Sequence, residues 1–158
     1  QLTEKKVDET GVFSAHKLSD LINRLVDSRC QSLQPLPTIE VESEENVVVD
    51  PEKFSNVMYH LVSNAQQATS SEGFVRITLE CDPASQQQIV RIEDNGCGMD
   101  EAFIEQRLFK PFDTTKGNAG MGIGAYDARN YMQSIGGKLS VDSEVGKGSC
   151  FTLVFPLD

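Results

Sequence analysis

Ten of the twelve glycines in this chain of 158 residues lie between Gly96 and Gly148. Glycine gives up more conformational freedom on folding than any other residue, so such density needs a reason. A linker is one reason; backbone approached closely by a ligand or another segment is the other. The glycines fall into ordered groups: Asp94-Asn95-Gly96-Cys97-Gly98-Met99, then Gly117-Asn118-Ala119-Gly120-Met121-Gly122-Ile123-Gly124, then Gly146-Lys147-Gly148-Ser149. Other motifs interleave with them, which favours approached backbone.

The rest of the chain alternates between helical and extended patterns. Residues 1–13 are polar and read as a linker or the end of a preceding segment; 14–158 form one domain. Ser14 can cap a first helix, with Leu18, Leu21, Ile22, Leu25 and Val26 at helical spacing. Residues 38–41 and 47–49 read as short strands around an acidic turn, Glu42 to Asn46, taken as solvated. Asp50 caps a second helix with Pro51 at its first position, running to about Thr69. Its apolar stripe is Phe54, Val57, Met58, Leu61, Val62 and Ala65. Residues 74–80 and 88–93 alternate and form a hairpin. A third helix spans 125–135 and stops at Gly136-Gly137. Residues 138–142 and 150–155 make a last strand pair. The order predicts an α+β fold: a two-layer sandwich with a mixed, mostly antiparallel sheet and helices packed on one face.

Charge narrows the partners. Lys and Arg number 14 against 24 Asp and Glu, a formal charge of −10. DNA binding demands clustered cations, so nucleic acid is excluded as a partner. A nucleotide site is not, because backbone N–H groups and one Lys can hold phosphates. No apolar run approaches the roughly 20 residues of a membrane helix, so no membrane contact is expected. The chain begins at Gln1 without a signal peptide and reads as a piece of something longer. Cys30, Cys81, Cys97 and Cys150 are scattered singly, which argues against a zinc site or a disulfide framework and fits a reducing, cytoplasmic setting.

Four stretches carry chemistry. His60 and Asn64 stand four apart and share one helix face. Asn64 sits in an otherwise apolar run and needs a partner there. Asp94 ends a strand and is followed by Gly96 and Gly98. A carboxylate so placed can accept from the amine of a flat heterocycle, with the glycines admitting the ring. Gly120, Gly122 and Gly124 precede a helix, where N–H groups and the dipole favour an anion. The formal dinucleotide fingerprint there is rejected, because no strand precedes it. Phe109-Lys110-Pro111-Phe112 can anchor a loop, with Lys116 beyond it offering a compact charge to phosphate.

The ordered set HLVSNA, DNGCGM, LFKPFDTTK, GMGIGA and GKGSCF resembles the N, G1, F, G2 and G3 boxes of sensor histidine kinases. The resemblance runs from about Phe54 to Leu157, and the preceding segment resembles the usual entry into the same domain. It identifies the ATP-binding catalytic domain of the superfamily shared with DNA gyrase, Hsp90 chaperones and MutL proteins, a Bergerat-type fold. The stretch GMGIGAYDARNYMQSIGG is also similar to kinases of exosortase and exopolysaccharide systems.

Residue by residue, the resemblance implies that Asn64 holds Mg²⁺ bridging the phosphates of ATP, chemistry suited to a hard amide oxygen. Asp94 accepts from the adenine amine, with Gly96, Gly98 and Met99 shaping that pocket. Gly120, Met121, Gly122, Ile123 and Gly124 cradle the phosphates, and Lys116 reaches the terminal ones. Phe109 and Phe112 are the F-box pair, and Ser149 stands where the family often has Thr near adenine. The implied reaction moves the γ-phosphoryl group to a histidine on a phosphoacceptor domain absent from this chain, with a response regulator downstream and the isolated domain a monomer.

Three positions depart from the pattern. His60 replaces the usual Asn or Glu, Gln67 a frequent Lys, and Ala68 a frequent aromatic. They put a base role for His60 in doubt and leave open a nucleotide-gated module without transfer. Lack of Glu at position 60 argues against an ATPase, and the F-box pattern against a serine kinase. His16, in SAHKLSDL, superficially resembles a phosphoacceptor box. It lacks the downstream Pro and a second long helix, so it is rejected as the acceptor.

Overall fold

The computed structural model describes the backbone of residues 15–108 and 119–157, and side chains outside 107–124. Strand β1 (Ala15–His16) leads into helix α1 (Leu18–Arg29), followed by β2 (Thr38–Val41) and β3 (Val47–Val48). Helix α2 (Pro51–Ala68) precedes the hairpin β4 (Val75–Asp82) and β5 (Gln87–Asp94). A short turn α3 (Glu101–Phe103) continues as a π-helical turn, Ile104–Leu108; α4 (Ala119–Ser134) and the hairpin β6 (Lys138–Glu144) and β7 (Gly148–Pro156) complete the order.

The main sheet has the order β2-β4-β5-β7-β6, with β2 parallel to β4 and every other pair antiparallel. Strand side chains alternate between faces. Val75, Ile77, Leu79, Val90, Ile92, Leu153 and Phe155 are fully buried on the face that the helices cover. α2 packs on that face and on both other long helices. Its Phe54 meets Phe155 of β7 edge to face at 5.7 Å. Ala125 and Ala128 let α4 come close to its neighbours, and Met132 fills the space beyond them. This is the expected two-layer α+β sandwich with a mixed sheet.

Asp50 caps α2 as predicted, its Oδ1 accepting from the Glu52 N–H (3.0 Å) and Lys53 N–H (3.5 Å). The start of α1 differs from the sequence reading. Its N-cap is Lys17, not Ser14, and the Lys17 side chain makes no capping bond. Ala15 and His16 are drawn instead into a ladder with Val48 and Val47. The cap comes from the acidic turn, which is therefore not merely solvated: Glu44 accepts from the Ser19 N–H (3.2 Å) and hydroxyl (2.5 Å). His16 lies in β1, ahead of the helix. α4 also begins earlier than predicted, at Ala119, so the backbone of Gly120, Gly122 and Gly124 is helical rather than a preceding loop. Among the described residues, no helix is long and apolar enough to cross a membrane.

Candidate nucleotide site

Three segments converge where β5 ends. The last turns of α2 bring Asn64, Ala65 and Ala68; the end of β5 and the segment after it bring Asp94, Cys97, Gly98, Met99 and Asp100; the β6–β7 hairpin brings Val145, Ser149 and Phe151. They line a cavity of about 310 Å³. Of the predicted site residues, Asn64, Asp94, Gly98, Met99 and Ser149 share it. Gly96 is not among the lining residues; a Cβ there would lie 2.2 Å from the Ala68 carbonyl oxygen at the end of α2. His60 lies one turn before Asn64 but is not among the lining residues; its ring rests near Tyr59, centroids 5.6 Å apart. Phe109, Phe112 and Lys116 fall outside the described residues, as do the side chains of Met121 and Ile123.

Asp94 is only 7 % exposed. Burial pushes its carboxyl above the usual range, against the opposing pull of N–H groups from Gly96 and Ser149 and of the Thr69 hydroxyl. The Gly96 contact measures 2.9 Å. Thr69 has one hydroxyl proton and also stands 2.7 Å from the Ala65 carbonyl, so it serves one acceptor at a time. Asn64 is 9 % exposed, and its amide makes no hydrogen bond among the described residues. Among the described residues the one buried side-chain oxygen or nitrogen without a partner is Tyr131 Oη, so the Asn64 amide is open to the cavity it lines and available to a ligand there.

Close backbone approach explains the glycines here. A Cβ at Gly98, where φ is +72°, would lie 2.0 Å from the Glu144 carbonyl oxygen. At Gly148, where φ is +123°, it would lie 2.0 Å from the Asp94 carbonyl oxygen. Side chains at either place would part the hairpin from the Asp94 segment. The Cys97 N–H donates to the Ala68 carbonyl (3.0 Å) and the Gly146 N–H to the Cys97 carbonyl (2.8 Å), so that segment is tied on both sides.

Sequence reasoning missed several members. Ser143 ties the wall together: its Oγ accepts from the Met99 N–H (2.8 Å), donates to the Gly148 carbonyl (3.0 Å) and lies 2.7 Å from Ser149 Oγ. Phe103, Val145 and Phe151 supply apolar walls. Phe151 follows Ser149 by two on the same strand face, a signal that could have found it. Ser143 carries no local signal at all. A wider hollow of about 620 Å³, lined by Val47, Val48, Cys81 and Pro156 among others, contains none of the predicted residues.

The fold and this cavity define an ATP-binding sandwich of the histidine kinase catalytic type. The chain belongs to the family described as histidine kinase-, DNA gyrase B-, and HSP90-like ATPase, which matches residues 49–158. It is 34 % identical over 120 residues to the signal transduction histidine-protein kinase AtoS of Escherichia coli K12, covering 75 % of this chain and 19 % of that protein. It is 30 % identical over 139 residues to the sensor histidine kinase ZraS of the same organism, 88 % of this chain and 27 % of ZraS. The chain thus spans about a fifth to a quarter of these relatives. Among solved structures it resembles the nucleotide-free catalytic domain of the histidine kinase ThkA, with TM-score 0.77 and 26 % identity over 91 % of this chain and 95 % of that one.

Proposed function

We propose that this chain is the catalytic domain of a sensor histidine kinase, binding ATP with Mg²⁺ and passing the γ-phosphoryl group to a histidine on a phosphoacceptor domain of the same protein. A response regulator would then take the phosphoryl group. The observation that carries the reading is the buried carboxylate of Asp94 in the same cavity as the amide of Asn64. A carboxylate there accepts from the adenine amine, while Met99 and Phe151 offer apolar walls to the ring.

The residues present fit Mg²⁺ held chiefly through the nucleotide. Among the described residues no cluster of three acidic, His or Cys side chains could hold a metal alone. Asn64 supplies one hard amide oxygen, and phosphates and water would complete the shell. Bound there, Mg²⁺ would neutralise charge on the transferring group. The chain's own part is positioning and electrostatics rather than covalent chemistry. Asp94 would fix the base, while the N–H groups at the start of α4 and the Lys116 charge would meet the phosphates. His60 is assigned no step, because it stands outside the cavity lining. The domain is proposed to work as a monomer in the cytoplasm.

The test mixes the chain with ATP, Mg²⁺ and a separately made phosphoacceptor domain of its own protein. Acid-labile phosphate on the acceptor histidine supports the reading. ATP binding with no transfer to a folded acceptor favours a nucleotide-gated module instead.

A further inference from the structure

Ser143 and Ser149 stand on adjacent strands as a register pair, and their hydroxyls are 2.7 Å apart. Distance alone leaves the donor open. Proton counting settles it. A serine hydroxyl has one proton and two lone pairs. Ser143 Oγ already accepts the Met99 N–H, and its contact with the Gly148 carbonyl can only be one that Ser143 donates. Its proton is then spent, and one lone pair remains. All three contacts are satisfied together only when Ser149 donates to Ser143.

The consequence reaches the cavity. With its proton turned back towards Ser143, Ser149 shows only lone pairs to the cavity it lines. Asp94, the register partner of Ser149 on β5, presents a carboxylate, which as an anion also only accepts. Two acceptors side by side call for a donor on the ligand. We propose that Ser143 is a positioning residue for base selection: by holding the Ser149 proton away from the cavity it favours a 6-amino purine over a 6-oxo purine, whose carbonyl would meet lone pairs. This inference rests on the nucleotide reading above.

The experiment measures by calorimetry the affinities of the chain for ATP and for inosine triphosphate, at one Mg²⁺ concentration. The parent prefers ATP. Ser143→Ala frees the Ser149 proton to donate into the cavity, so the preference for ATP falls by about tenfold, the worth of one hydrogen bond gained by the 6-oxo group. Ser143→Thr keeps the hydroxyl and restores the preference. In Ser149→Ala, adding Ser143→Ala changes the ratio no further. This pair keeps the test decisive if Ser143→Ala alone folds poorly. An unchanged ATP-to-inosine ratio in Ser143→Ala, or an equal loss of both nucleotides, overturns the inference while leaving ATP binding intact. A folded parent that binds neither nucleotide overturns the nucleotide reading itself, and the inference with it.

Discussion

The Asp94 carboxylate accepts the Gly96 N–H at 2.9 Å, so the acid and the backbone that shapes its cavity hold each other in place. Burial nevertheless dominates and raises the Asp94 pKa. An acid with a raised folded pKa binds protons more readily folded than unfolded. Its charge therefore costs stability above the folded pKa, and that cost is relieved as pH falls through it. Asp94→Asn is expected to melt at or above the parent temperature at pH 7, with the difference shrinking as pH falls towards about 4, the ordinary carboxylate range. Thermal melts across that window check this; a variant that melts below the parent at pH 7, and progressively less so in acid, contradicts it.

Cys97 reports on occupancy. It is exposed and lines the cavity, whereas Cys30 is 1 % exposed. Burial raises the pKa of Cys30 and Cys150, and desolvation with the nearby Glu45 and Asp82 carboxylates raises that of Cys81, which slows their reaction with electrophiles. A maleimide should label Cys97 first, and saturating ATP with Mg²⁺ should slow that labelling about tenfold or more. Peptide mass spectrometry reads the site. Unprotected labelling of Cys97 in the presence of bound ATP would place the nucleotide elsewhere.

Asn64 separates metal from base. Asn64→Ala removes the one amide assigned to Mg²⁺ but leaves Asp94 and its contacts untouched. The gain in ATP affinity on adding Mg²⁺ should shrink several-fold, with affinity in chelator changed little. Calorimetry with and without Mg²⁺ measures both; equal losses in the two conditions would assign Asn64 to the nucleotide rather than to the metal.

Glu44 caps α1 from the other side of the chain. Glu44→Ala should cost about 1 kcal/mol, the usual worth of an N-cap, and lower the melting temperature by about 2–5 °C. Glu44→Gln keeps an acceptor and should recover most of it. A melting temperature unchanged in Glu44→Ala would show that the cap carries no stability.

The same contact shows where sequence reading stops. Asp50-Pro51 announces a helix because cap and helix are neighbours in the chain, and the stripe from Phe54 to Ala65 announces its buried face. The β4–β5 hairpin is legible for the same local reason. Glu44 and Ser19 are 25 residues apart, and no periodicity joins them, so the turn reads as plain solvated charge. Of the cavity, Asp94, Gly98, Met99, Asn64 and Ser149 stand in short motifs and were legible. Ser143 and Met99, 44 residues apart, meet only because β6 returns beside β7. The first residues of α4 are not legible as helix because glycine is a poor helix former, yet the helical backbone extends through Gly120, Gly122 and Gly124.

The central claim is that Asp94 anchors an adenine nucleotide in this cavity, and ATP binding by calorimetry tests it most directly. The account predicts that the chain binds ATP in the presence of Mg²⁺ and that Asp94→Asn, still folded by circular dichroism, weakens binding by about ten- to a hundredfold, the worth of a hydrogen bond to a charged acceptor. An Asp94→Asn variant that binds ATP as tightly as the parent would contradict it.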